Sequence, residues 1–268
     1  MPDTPGSLTR HVAPAACLLL LLSVATARAQ TPAAAPATPD FFTRYDFHLT
    51  AHRLTGDDQR FSWDSHFGGD LDVVDYVKGR ASVLIDYEAV LGSEYRPFDP
   101  NQAYYTLETS GSYRLGATEI AGVFHHVSRH LSDRPKQMSI AWNVMGARVL
   151  RRVSVGSVTI DGRVGGGWTV QRSYADYTWT GDADAVIRRA INPRVDVFAH
   201  GFGEWLGVDG SVPGRDAQQG GRLEAGLRLN GRAGVIELFA GFERRLDADP
   251  IDRQPQHWAV AGFRLLHK

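Results

Sequence analysis

Cysteine is almost absent from this chain, since the single one, Cys17, lies among the first 30 residues. From residue 30 onward there is neither a thiol nor a disulfide, which excludes a cysteine nucleophile and a zinc–thiolate site in that region. Long apolar runs are also scarce. The longest after residue 30, at 233–242, is interrupted by Glu237 and is shorter than the roughly 18 residues that a membrane-spanning helix needs.

A charge excess of either sign is missing as well. The net charge is −1 at pH 7, and basic residues form no stripe along the sequence. Nucleic-acid binding normally requires such a basic surface. The sequence therefore predicts a protein that does not bind nucleic acid.

The first 40 residues have the pattern of an export segment. Arg10 precedes an apolar run at 13–24, and a small-x-small site follows at 27–29, which together predict a signal peptide over residues 1–29. Residues 30–40 are rich in alanine and proline and predict a short periplasmic lead-in. The remaining residues, 41–268, are then a single domain.

Within 41–268, apolar and polar residues alternate along many short segments. Residues 223–229 show the unit, because Leu223, Ala225, Leu227 and Leu229 are apolar while the residues between them are polar or small. A period of two indicates a β-strand with one apolar face. We predict about twelve such strands, at 41–54, 61–77, 81–92, 102–114, 118–131, 137–151, 153–168, 175–190, 193–206, 218–230, 233–246 and 256–267.

The links between these segments fall into two alternating classes. Tight turns are expected at 78–80, 115–117, 151–152, 192–193 and 230–232, and longer loops at 92–102, 207–218 and 247–255. Short turns on one side and long loops on the other are typical of transmembrane β-barrels of the bacterial outer membrane. The pattern therefore predicts an all-β, antiparallel, up-and-down barrel in that membrane, with outer-membrane lipids as its partners. A secreted β-sandwich is the competing architecture.

Charged residues predict which face of each strand meets lipid, because a basic group facing lipid at mid-depth costs about 2–4 kcal/mol. Asp86 and Glu88 should face the interior, and Ile85 and Tyr87 the lipid. The many internal charges of both signs predict a packed polar network rather than an open pore. Eight aromatic residues near strand ends are expected to form an interfacial girdle, namely Trp63, Tyr104, Tyr105, Trp168, Tyr174, Trp179, Trp205 and Trp258.

Residues 124–133 hold the densest cluster of reactive side chains, at the outer end of the fifth strand. His126 and Ser128 are two residues apart and so share a face of the strand, where an imidazole can accept the proton of a serine hydroxyl. Placing Glu119 inside turns both residues outward. On the sixth strand, Asn143 is then expected opposite His126, where it can fix the imidazole tautomer.

Other interpretations of this segment stay open. His125, His130 and Asp133 could contact ligands or lipid headgroups at the rim, and a purely structural role fits all of these residues. A metal site made by His126 and His130 is disfavoured, because an i, i+4 pair lies far apart along a strand. No cofactor is expected, although Asp57, Asp58, Asp133 and Asp176 on outer loops could bind calcium.

The His126-x-Ser128 pair on an outward-facing strand resembles the arrangement in outer-membrane phospholipase A and lipid A deacylase barrels. This resemblance implies hydrolysis of lipid acyl esters, with Ser128 as nucleophile, His126 as base and Asn143 as orienter. Arg129 stands where these families usually have asparagine after the serine. The longer string at 126–133 also resembles the HxSxHLxD-type signature of a family of outer-membrane proteins without an assigned function.

Two classes of function follow from these patterns. One is a serine-type lipid acyl hydrolase acting on lipid A or phospholipid, which requires His126 and Ser128 to face lipid. The other is a non-catalytic barrel, either structural or a solute pathway, which requires no such site. A surface-binding barrel that acts through its long loops is a third, less favoured interpretation.

Overall fold

The computed structural model describes residues 36–131 and 140–267. The predicted signal peptide, most of the predicted lead-in and Asp133 lie outside these residues, and those predictions stay untested. Within the described part of the chain, no helix is long and apolar enough to cross a membrane.

Twelve strands in the described residues form one closed antiparallel barrel, in which each strand pairs with its neighbours in sequence and β1 pairs with β12. The predicted all-β up-and-down barrel is thereby confirmed. The strands are β1 (Asp40–Leu54), β2 (Trp63–Asp75), β3 (Arg80–Gly92), β4 (Asp99–Leu115), β5 (Thr118–Leu131), β6 (Ile140–Val155), β7 (Val158–Ser173), β8 (Tyr177–Asn192), β9 (Val195–Val208), β10 (Gln218–Asn230), β11 (Gly234–Arg245) and β12 (Gln256–His267).

The alternation of side chains explains the barrel's two faces. On β10, Leu223 and Leu227 are exposed on the outside, whereas Glu224 is buried inside. On β3, Ile85 is exposed while Glu88 lines the interior. Strands with a period of two can bury every polar side chain in the barrel and present only apolar groups to lipid.

The ends of the barrel differ, which orients it in the membrane. One end has tight connections, including the two-residue turns at 116–117 and 156–157. Gly116 and Gly156 have φ values of 61° and 58° there, a left-handed conformation that glycine adopts without strain. The other end carries longer loops at 55–62, 209–217 and 246–255 and is therefore the outer end.

One predicted turn is wrong. Arg151 and Arg152 were expected to connect two strands, but both lie within β6, which continues to Val155. The turn occurs at Gly156-Ser157, because Val153 and Val155 extend the strand and Gly156 supplies the positive φ. The side-chain pattern alone could not show that the arginine pair lies on a strand end at the periplasmic surface.

Arginines and carboxylates pair across the barrel interior, as the sequence predicts. The hydrogen-bonded pairs at 2.5–3.0 Å include Arg80 with Glu119, Arg148 with Glu108, Arg228 with Glu237, Arg245 with Glu88, and Arg264 with Glu224. Between these pairs remains a cavity of about 540 Å³ lined by both signs of charge. Paired charges avoid the large cost of burying an isolated ion.

Two members of the predicted aromatic girdle face inward instead. Tyr104 lines the interior cavity and its hydroxyl hydrogen-bonds Gln102, while Trp258 is buried against Phe61. Each lies one residue from an outward-facing position, and the strict alternation of a strand sends it to the other face. Trp168, Trp179 and Trp205 are exposed, as a girdle requires.

The loop 246–255 folds into the outer mouth of the barrel, and we call it the mouth loop. Asp247, Ala248 and Asp249 are buried. Gln102 donates a hydrogen bond to the carbonyl of Ala248 at 2.6 Å, and Arg129 donates to the carbonyl of Asp247 at 2.7 Å. Inward-facing side chains of β4 and β5 thus hold the loop in place.

Candidate active site on the barrel exterior

The face of β5 is settled by its buried residues. Val123, His125, Val127 and Arg129 line the interior cavity. Because neighbouring residues of a strand alternate between faces, His126, Ser128 and His130 lie on the outside. Their partners on β4, Tyr105 and Leu107, are exposed there.

The predicted register between β5 and β6 is confirmed. His126 lies opposite Asn143, and Ser128 lies opposite Ala141. His126 Nδ1 is 2.5 Å from Asn143 Oδ1. The amide of Asn143 in turn donates from Nδ2 to Gln171 Oε1 on β7 at 2.9 Å. Gln171 is not among the residues predicted from the sequence, although its position opposite Asn143 on an outward face is a signal that could have indicated it.

This chain of hydrogen bonds fixes the tautomer of His126. The amide oxygen Oδ1 can only accept a hydrogen bond, so Nδ1 of the imidazole carries the proton. In a neutral ring Nε2 is then unprotonated and can act as a base. Asn143 and Gln171 therefore hold His126 in the form that proton abstraction requires.

The hydroxyl of Ser128 contacts a different histidine. Ser128 Oγ is 3.0 Å from His130 Nε2, and this is its hydrogen bond among the described residues. The imidazole of His130 also packs edge-on against Tyr105, with ring centroids 5.1 Å apart. The sequence places His126 and His130 symmetrically, two residues on either side of Ser128, so the pattern alone could not choose between them.

The site lies close to the outer end of the barrel. Ser128 is three residues from the end of β5 at Leu131, which is about 10 Å along a strand that rises roughly 3.3 Å per residue. Apolar side chains on the same exterior surface are exposed, including Met145 and Trp168, the latter at 73%. A lipid in the outer leaflet can therefore reach the site with its acyl chains against these groups.

Of the three residues predicted as rim contacts, one faces the barrel interior, one lies at the outer surface and one lies outside the described residues. His125 points into the barrel, where its Nδ1 is 3.0 Å from Glu108 Oε2, because it has the opposite parity to His126. His130 lies at the outer surface beside Ser128. Asp133 lies outside the described residues.

Arginines already accompany two of the aspartates considered for calcium. Arg60 donates to both carboxylate oxygens of Asp58, at 2.7–3.1 Å, and these hydrogen bonds hold the pKa of Asp58 below its usual value. Asp176 accepts a hydrogen bond from Arg215 at 2.7 Å. Among the described residues, neither carboxylate belongs to a cluster of three possible metal ligands, and the suggestion of calcium stays a prediction.

A cluster of possible metal ligands that the sequence analysis missed lies inside the barrel. Asp64, His66 and Glu88 have ligand atoms within 4.8 Å of one another. Arg245 donates to Glu88 Oε1 at 3.0 Å and forms an ion pair with Asp64. The Arg245 guanidinium thus supplies the positive charge that a metal ion would supply in this cluster.

Comparisons by sequence find nothing, since no protein-family model and no curated protein sequence matches the chain. Comparison with solved structures does find similar barrels. Outer-membrane phospholipase A from Escherichia coli matches with a TM-score of 0.51 and 10% identity, covering 83% of this chain and 92% of that one.

Two further solved structures of the same enzyme give similar matches. The Salmonella typhi enzyme, a dimer with bound calcium, has a TM-score of 0.50 and 11% identity over 83% of this chain and 90% of that one. An asparagine-to-alanine active-site mutant of the Escherichia coli enzyme has a TM-score of 0.51 and 11% identity over 85% of this chain and 91% of that one. This chain has the fold of a bacterial outer-membrane β-barrel.

Proposed function

We propose that this outer-membrane barrel is a serine-type hydrolase of lipid acyl esters. The observation that carries the proposal is the His126–Asn143 hydrogen bond of 2.5 Å, which orients a basic nitrogen two residues from Ser128 on a lipid-facing surface. A fixed tautomer that leaves Nε2 unprotonated suits a general base. Lipid A or phospholipid is the substrate class, because these are the acyl esters of the outer membrane.

The reaction follows from the roles of these side chains. Ser128 Oγ attacks the ester carbonyl carbon while Nε2 of His126 takes the hydroxyl proton. The tetrahedral intermediate then expels the alcohol, which receives that proton, and leaves an acyl-serine. Water attacks this second ester with the same base, so that a fatty acid is released and Ser128 is restored.

Two histidines contribute differently to this scheme. His130 holds the hydroxyl of Ser128 in the resting arrangement. Rotation of Ser128 about its Cα–Cβ bond would transfer Oγ toward His126. Asn143 stays bonded to His126 throughout and stabilises the imidazolium that forms, the third role in such a set.

Similarity to solved barrels supports this proposal. The similar Escherichia coli barrel is an outer-membrane phospholipase, and an asparagine belongs to its active site. Asn143 is an asparagine in the site proposed here. The HxSxHLxD-type family suggested by residues 126–133 stays a prediction.

A non-catalytic structural barrel is the second candidate function. It is favoured by the paired charges in the interior and by the mouth loop, which folds into the outer end of the barrel. The same observations disfavour a solute pathway.

Lipid mass spectrometry of cells that express the protein tests the proposal. We expect wild type to remove an acyl chain from lipid A or phospholipid, and Ser128→Ala to lower this activity by a factor of about 10³ or more. Ser65→Ala is a matched control, because Ser65 is another outward-facing hydroxyl near the outer end of a strand. Unchanged lipids with folded wild type in the outer membrane would refute the hydrolase.

A further inference from the structure

A second polar group faces the membrane on the opposite side of the barrel. Arg244 lies on β11, six strands around the ring from β5. Phe242 on the same strand is 71% exposed on the outside, whereas Glu243 is buried and Arg245 is ion-paired inside. Alternation therefore starts the Arg244 side chain on the outer face, where it borders both an outer groove and the interior cavity.

Arg244 lies at the level of the lipid headgroups. It is one residue before the end of β11 at Arg245, and its partner on β12 is His257, one residue after that strand begins at Gln256. Both residues are thus at the outer end of the barrel. The cost of a basic group facing lipid falls to about 0–1 kcal/mol near the interface. This low cost permits an arginine at position 244 but gives no reason for one.

Among the described residues, no outward-facing carboxylate of β10, β11 or β12 lies near the outer end beside Arg244, while the inward-facing Glu243 borders the same surface groove. The outward-facing residues of β10, β11 and β12 near the outer end are Gln219, Gly221, Leu223, Phe242, His257 and Ala259. Among the described residues, the buried Nη1 of Arg244 has no hydrogen-bond partner. By contrast, Arg245 next to it makes ion pairs with three carboxylates.

The surface around Arg244 is a groove of about 580 Å³. Its lining includes Trp205, Leu223, Phe242 and His257. Gly221 pairs directly with Arg244 and contributes no side chain to the outer surface, because an added Cβ would lie 2.6 Å from the carbonyl oxygen of Phe202. The groove therefore has a basic end at the headgroup level and an apolar end toward the membrane core.

We propose that this groove binds a phosphate-bearing lipid of the outer leaflet. A guanidinium can bind the oxygens of a phosphate with two parallel hydrogen bonds from Nε and one Nη, a pair that does not need the buried Nη1 of Arg244, and His257 offers a further donor. The exposed surfaces of Leu223, at 67%, and Phe242 would contact the acyl chains, and Trp205 lies beside them as interfacial aromatics do. The apolar end of the groove is the reason to assign a lipid rather than free phosphate.

Native mass spectrometry of the folded, full-length barrel in detergent micelles tests this site. The probe is phosphatidic acid, with phosphatidylcholine as the lipid that lacks a free phosphate monoester. We expect Arg244→Gln to weaken phosphatidic acid binding about tenfold or more, as loss of a charge-assisted pair implies. Arg189→Gln is the matched control, since Arg189 is an exposed, outward-facing arginine near the inner end of β8.

Three results decide the proposal. Equal binding of phosphatidic acid by wild type and Arg244→Gln would overturn it, as would an equal loss in Arg189→Gln. Displacement of the lipid by excess inorganic phosphate would overturn the role of the acyl chains. The site is independent of the proposed hydrolase, and Ser128→Ala should therefore bind phosphatidic acid as wild type does.

Discussion

Two imidazoles flank Ser128, and their surroundings distinguish them. His126 is tied through Nδ1 to Asn143, so that its Nε2 is the basic nitrogen. His130 contacts the serine hydroxyl and the ring of Tyr105. The amide oxygen of Asn143 fixes the tautomer of His126, which is why His126 is assigned as the base and His130 as the residue that holds the resting serine.

Single substitutions separate these roles. His126→Ala should lower kcat about 10²- to 10⁴-fold, since it removes the general base. His130→Ala should change kcat by less than about tenfold, because His130 takes no proton in the proposed reaction, and this variant serves as the matched imidazole deletion. The measurement is fatty-acid release by the folded variants in mixed micelles. A large loss in His130→Ala with an active His126→Ala would reverse the assignment.

At the scale of strands and turns, alternation and turn chemistry carry different information. Alternation predicted the inward and outward faces of β3 and β10 correctly. A strand turned by one residue would put its charged side chains into lipid and its apolar side chains among the internal ion pairs. The sequence predicts the end of β6 at residue 151, four residues too early. Residues 151–155 alternate less clearly, and both the arginine pair and Gly156 are compatible with a turn. The positive φ of Gly156 decides the matter.

The turn at Gly156 gives a stability prediction. Gly156→Val should lower the free energy of unfolding by about 1–2 kcal/mol, because a side chain is strained in the left-handed conformation. Space is not limiting, since nothing lies within 4 Å of an added Cβ.

Gly111→Val is the control for this substitution. Gly111 lies within β4, and an added Cβ there also meets nothing within 4 Å, but its φ is not positive. Denaturant titration of the barrel refolded in lipid vesicles measures both variants. An equal loss in the two would show that the conformation at residue 156 is not the cause.

On the scale of the whole molecule, the mouth loop joins residues that are distant in sequence. Asp247 is 3% exposed, and it accepts hydrogen bonds from Tyr177 at 2.5 Å and from Arg215 at 2.8 Å. Burial by itself would lower the pKa of Arg215, but the hydrogen bond and charge of Asp247 outweigh it and raise that pKa above its usual value. The ion pair therefore persists across the physiological pH range.

Removing this charge should loosen the mouth loop without unfolding the barrel. Asp247→Asn leaves the buried guanidinium of Arg215 with less compensation, a change that destabilises by up to about 3–5 kcal/mol when a buried pair is broken. Hydrogen exchange of residues 246–255 should become faster. Asp252→Asn is the control, because Asp252 belongs to the same loop but is exposed and pairs with Arg60. Unchanged exchange in Asp247→Asn would show that other contacts hold the loop.

The sequence by itself determined the barrel, its two faces and the outward position of His126, Ser128 and Asn143, because a period of two and the cost of charges in lipid act along each strand separately. Tertiary structure decided what needs several strands at once. It brought Gln171 behind Asn143, packed Trp258 against Phe61, placed the hydroxyl of Ser128 beside His130, and left the buried Nη1 of Arg244 without a hydrogen-bond partner among the described residues. These features depend on the register between strands and on side-chain geometry, and the residue pattern of a single strand determines neither.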